Sequence, residues 1–184
     1  HQTPMLRGAD RLRQSLLPSL LDARRHNESL GNFDADFFET AAIYLPQDSG
    51  DLPIQQRTLG VLTCGSFERV KGVIEAILKS LRISITLRSR DVEVSLFEPG
   101  RAMGLLLDEM PLGFIGEVSA ATLKDFGLRD RVAMAEISLD AIEPLAQLVP
   151  CYEAASPYPS IRRDLNLITD ESVRWADLEQ TVRD

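Results

Sequence analysis

The chain has 184 residues, 44% of them hydrophobic, and a net charge of −8. That is enough apolar material for one good core. It is too acidic for a stand-alone nucleic-acid binder, because phosphate contacts need clustered Lys and Arg, so any RNA contact is local or shared with another subunit. No apolar run approaches the ~18 residues a membrane helix needs. The two cysteines, Cys64 and Cys151, have no metal-ligand spacing and suit a reducing cytoplasm. The chain starts at His1 and carries no signal peptide, which suggests a piece of a longer protein or a processed product.

Residues 1–11 are polar, with Pro4 and Gly8, and read as an arm. Leu12, Arg13 and Gln14 lead to Ser15, a good N-cap, and Leu16, Leu17, Leu20 and Leu21 then recur at helical spacing. Pro18 falls in the first turn, where a missing N–H costs little. Arg24 and Arg25 suit the C-terminal end of the helix dipole, and Gly31 can end the segment in a left-handed conformation. Phe37 to Leu45 should be a strand, followed by a surface loop from Pro46 to Pro53. Arg57 to Thr63 is a second strand.

Gly65-Ser66 opens a helix in which Phe67, Val70, Val73, Ile74, Ile77, Leu78 and Leu81 share one apolar face. Gly72 sits inside it, and its position suggests close approach of a neighbouring strand. Period two or short apolar runs then mark strands at Ile83–Leu87, Val92–Phe97, Ala102–Leu107 and Leu112–Val118, with Asp108 to Pro111 as a hairpin connection. Ser119 caps a short helix, Ala120 to Phe126, closed by Gly127. Val132 to Ser138 is another strand, and Asp140 and Glu143 have capping-box spacing before Leu145 and Leu148. The proline-rich stretch Val149 to Pro159 reads as a boundary. Ser160 to Ile168 should be a strand and Trp175 to Val182 the start of a helix, the first half of a further domain. Short strands joined by turns, with helices between, make the fold α+β with an antiparallel sheet.

A nucleophile needs a base, and the histidines are His1, at the terminus, and His26, at a helix end. No zinc spacing and no P-loop occurs. The glycines of GFIGEV, Gly113 to Val118, have no dinucleotide-binding context and fit a closely packed or bulged strand. Asp48, Asp51, Asp108 and Glu109 lie in loops. No residue is therefore assigned a catalytic, cofactor-binding or metal-ligating role. Arg13, Arg101, Arg162 and Arg163 are the candidates for contact with a partner or RNA. For Arg162-Arg163 the alternative is a salt-bridged strand edge, and for Arg101 a plain turn arginine.

Four segments carry a resemblance: LRQSLLPSLL with Asn27; FERVKGVIEAIL, Phe67 to Leu78; PGRA followed by LGFIGEV, Pro99 to Val118, continuing at Leu123 to Leu128; and YPSIRRDLNLI, Tyr158 to Ile168. Together and in this order they resemble the beta subunits of phenylalanyl-tRNA synthetases. The resemblance implies a class II synthetase-like, non-catalytic core over residues 12–150. Residues 151–184 would be a linker and the truncated start of a ferredoxin-like anticodon-binding domain. It implies an α2β2 assembly in which the alpha subunit makes the adenylate with ATP and magnesium. This chain would support that site and help place tRNA(Phe), without holding a cofactor itself. Three departures stand out. Ala41-Ala42 replaces a Gly-Arg pair whose region, in catalytic class II cores, supplies an arginine for the ATP phosphates. Glu98 replaces a histidine, and Ser119-Ala120 replaces His-Pro. A stand-alone enzyme with a nucleotide site and a free-standing interaction module derived from the same fold are the competing readings.

Overall fold

The computed structural model describes residues 11–47, 50–150, 152, 157–170, 172–173 and 175–183. The arm expected over residues 1–11 lies almost wholly outside them, as do Asp48 and Cys151. The chain divides into two compact units after Pro150.

The first unit is built on β1 (Phe37–Leu45), β2 (Ile54–Cys64), β3 (Leu87–Asp91), β4 (Phe97–Leu107), β5 (Met110–Val118) and β6 (Val132–Ser138). They form one sheet in the order β1-β2-β6-β5-β4-β3, and every neighbouring pair is antiparallel. The sequence periodicity explains the layering. Alternate residues of β6 point to opposite faces, and both faces are covered. Ala133, Ala135 and Ile137 join Leu59, Val61, Leu105 and Ile115 beneath α2 (Phe67–Ser80), which contributes Val70, Ile74 and Leu78. Val132 and Met134 join Leu62, Phe97 and Val118 beneath α1 (Leu17–Ser29), which contributes Leu17, Leu20 and Leu21. Each fully buried leucine stabilises the fold by roughly 1.5–3 kcal/mol relative to exposure. Short helices α3 (Ala120–Asp125) and α4 (Leu139–Ile142) and a 3₁₀ turn at Glu143–Leu145 complete the unit.

Several expectations shift. Helix α1 has Leu16, not Ser15, at its cap position, and the Ser15 hydroxyl instead accepts the Leu17 N–H at 3.1 Å. Gly72 meets nothing within 4 Å of an added Cβ, so no strand approaches it. The close approaches are in GFIGEV. A Cβ on Gly113 would lie 2.0 Å from the Glu136 carbonyl oxygen, and one on Gly116 2.4 Å from the Phe97 ring. Ile83 is buried under the end of α2 rather than in a strand, and β3 begins only at Leu87. Val92, Val94 and Leu96 are half-buried because they lie against the α1-side core cluster, outside the sheet, although they alternate like a strand. Asp140 and Glu143 form no capping box. Ser138 caps α4, accepting the Ala141 N–H at 3.2 Å, and no helix runs on through Leu145 and Leu148.

In the second unit Trp175–Arg183 forms helix α5. The strand expected at Ser160–Ile168 does not form. This stretch is exposed throughout, and no strand is present among the unit's described residues to pair with it.

Candidate functional site

The stretch that the resemblance makes the counterpart of a phosphate-gripping region in catalytic class II cores is β1, the sheet's edge strand. Ala41 and Ala42 carry no side-chain donor. The two guanidiniums that reach this stretch are spent within the chain. Arg13 donates from Nη1 to Glu39 at 2.7 Å and from Nε to the Ala42 carbonyl at 3.2 Å, while its own carbonyl accepts the Tyr44 N–H at 2.8 Å. Arg57 stands opposite Ala42 in the β1–β2 ladder. It is clamped by Asp140 at 2.7 Å and by Glu143. These bonds raise the Arg57 pKa above its usual value, Glu143 most strongly, and hold the Asp140 carboxyl below its own. Both guanidiniums that reach β1 are thus engaged by carboxylates of the chain itself.

Two buried polar groups, one on β6 and one on α1, fix the helix that precedes β1. Glu136, 5% exposed, accepts the Leu16 N–H at 2.6 Å and the Ser15 hydroxyl at 2.8 Å, satisfying the donors at the start of α1. Desolvation pushes its pKa up, against those hydrogen bonds. Arg24 is fully buried. It bonds Glu28 one turn on at 2.9 Å, the Ala35 carbonyl at 3.0 Å, the Cys64 sulfur at 2.8 Å and the Phe33 carbonyl. Arg24 thus ties the loop after α1 to the end of β2, a role different from the helix-dipole partner read from sequence. Burial raises the Cys64 thiol pKa despite Arg24. Asp36 completes the latch, accepting from the Cys64 N–H at 2.9 Å and from Arg69 at 2.5 Å.

Arg101 lies four strands from β1, at the start of β4, and pairs with Glu117 at 2.6 Å. The pair lines a cleft of about 310 Å³ with Glu98, Val118, Leu123, Arg131 and Val132. Two of the departures from the family pattern meet here, since Glu98 accepts the Ala120 N–H at 3.4 Å. Arg162 and Arg163 belong to the second unit and are exposed there. Arg13, in the segment before α1, and Arg101, on β4, lie at different places in the first unit, and Arg162 and Arg163 belong to the second. Sequence reasoning missed Arg24, Glu136 and Arg57. For Arg24 the i,i+4 spacing to Glu28 was a usable signal; for the others the partners lie far away in sequence. Among the described residues no cluster of three or more His, Cys, Asp or Glu could hold a metal.

An antiparallel six-stranded sheet flanked by helices is the fold of a class II synthetase-like core. Solved structures support the fold. A pyrrolysyl tRNA synthetase from Desulfitobacterium hafniense matches 73% of this chain and 53% of its own with a TM-score of 0.57 at 15% identity. A second structure of the enzyme from that organism gives 0.58 over 71% of this chain and 48% of its own, also at 15% identity. The family model for the phenylalanyl tRNA synthetase beta chain CLM domain matches residues 2–139, and the chain belongs to that family. It is similar to the phenylalanine–tRNA ligase beta subunit of Rhodopirellula baltica, 40% identical over 99% of this chain, and to that of Clostridium tetani, 29% identical over 94%. The chain spans 28% and 22% of the length of these relatives.

Proposed function

We propose that this chain is the non-catalytic class II-like core of a phenylalanine–tRNA ligase beta subunit. In this reading it supports the active site of an alpha subunit and helps place tRNA(Phe) during ATP-dependent charging, in an α2β2 assembly in the cytoplasm. ATP and magnesium then belong to the alpha subunit. The observation that carries the reading is at β1, where Ala41 and Ala42 offer no phosphate donor and Arg13 and Arg57 are held by Glu39, Asp140 and Glu143. In this reading the grip on the ATP phosphates is supplied by the alpha subunit.

Two features support a partner-binding role. Phe38 is 75% exposed on the edge strand, beside a groove of about 460 Å³ lined by Leu59, Val61, Thr63, Val73 and Ile77. In the second unit Ile161, Leu165, Leu167 and Ile168 are exposed apolar side chains. Among the described residues no helix is long and apolar enough to cross a membrane. The test is co-expression of the full beta reading frame with the neighbouring alpha subunit, followed by pull-down. The reading predicts a stable complex that charges tRNA(Phe), and beta recovered without alpha contradicts it.

A further inference from the structure

The cleft at the start of β4 holds charges that the fold leaves unspent. Its apolar lining is Ala120, Leu123 and the little that Val118 and Val132, both buried core residues, expose. Its rim carries both signs: Arg101 with Glu117 as a closed pair at 2.6 Å, and Glu98 and Arg131, which are not paired. Among the described residues neither Glu98 nor Arg131 has an ion-pair partner within 4.0 Å, although the two line one cavity. Glu98 makes one long bond, to the Ala120 N–H at 3.4 Å, and Arg131 is engaged through its backbone carbonyl, which accepts the Gly65 N–H at 3.1 Å. That backbone bond anchors Arg131 to the turn after β2, so its position does not depend on its guanidinium.

Opposite charges that share a cavity without closing on each other can be bridged by a ligand that carries both. We propose that this cleft binds a small zwitterion with an apolar body, the chemistry of a free α-amino acid with an aliphatic or aromatic side chain. Glu98 takes the ammonium, Arg131 the carboxylate through charge-assisted bonds, and Ala120 and Leu123, with the little that Val118 and Val132 expose, the side chain. A volume of about 310 Å³ is at the small end of ligand pockets and suits a molecule of this size. The cleft is open and shallow, so the expected Kd is on the order of 1 mM.

The test is a two-dimensional NMR titration of this chain with free leucine, N-acetyl-leucine and leucine methyl ester. Free leucine is expected to give saturable shifts at the amides of Val118, Leu123 and Val132. The acetylated and esterified compounds, each missing one charge, should bind at least ~10-fold more weakly, the size of one lost charge-assisted bond. Glu98→Gln should weaken leucine and leave N-acetyl-leucine unchanged. Arg131→Gln should weaken leucine and leave the methyl ester unchanged. A purely structural role for either side chain would not produce this crossed pattern. Absence of saturable shifts up to ~20 mM, equal titration by all three compounds, or full binding by both variants overturns the proposal. No partner subunit takes part, so the outcome is independent of association with alpha.

Discussion

On the β1 side of the sheet Arg13, Arg24, Arg57 and Glu136 each meet a partner inside the chain. In the cleft by β4, Glu98 and Arg131 have no ion-pair partner among the described residues. The contrast is not one of residue type, since guanidiniums and carboxylates occur on both sides. It is one of convergence. Arg24 can be fully buried because Glu28, two loop carbonyls and a sulfur surround it, and a buried charge is tolerated only when such partners offset its desolvation. Where they do not converge, the charge stays at the surface and remains available to a ligand.

The largest test of this contrast is Arg24→Ala. It leaves Glu28 and the carbonyls of Phe33 and Ala35 without their donor, and it should cost about 3–5 kcal/mol in urea unfolding. A loss below ~1 kcal/mol would mean that the latch is ornamental. Arg13→Ala removes a half-exposed pair with Glu39 and should cost only about 0.2–1 kcal/mol. Arg131→Gln should leave the unfolding free energy in urea within about 0.5 kcal/mol of the parent, as expected of a surface group without an ion-pair partner.

Glu136 sharpens the comparison through pH. Its folded-state pKa is raised by burial, so the folded chain binds that proton more tightly than the unfolded chain does. Its contribution to stability therefore grows as pH falls through the folded value and levels off below the unfolded one. Asp140 runs the other way: its lowered pKa adds stability above its unfolded value, lost as pH falls through the folded one. Glu136→Gln should remove only the first component. In melting curves across mildly acidic to neutral pH, the difference between parent and variant should move in the parent's favour as pH falls. A difference that does not change with pH would show that Glu136 does not titrate in this window.

The sheet was legible where both faces of a strand are buried or cleanly alternate. β1, β2, β5 and β6 and the apolar face of α2 follow directly from side-chain period. Legibility failed where the same pattern serves a different geometry. Val92, Val94 and Leu96 alternate because one side of an irregular segment lies on the core, not because it pairs. The edge strand β3 carries Arg88, Ser89, Arg90 and Asp91, which guard an open edge and show no apolar period. Ile161 and Leu165 keep strand spacing, but among the described residues of their unit no strand pairs with them. In the candidate site the replacement of a Gly-Arg pair by Ala41-Ala42 was visible only through the family resemblance. The fate of Arg57 was not, because its partners Asp140 and Glu143 lie 83 and 86 positions away. Glu98 and Ser119-Ala120 were visible as separate departures, and only the β4–β5 pairing shows that they meet.

Pyrophosphate exchange with phenylalanine and ATP tests the central claim most directly. A core whose β1 offers no phosphate donor should give no exchange above buffer on its own, and exchange should appear when the alpha subunit is added. Phenylalanine-dependent exchange by this chain without alpha would contradict the account.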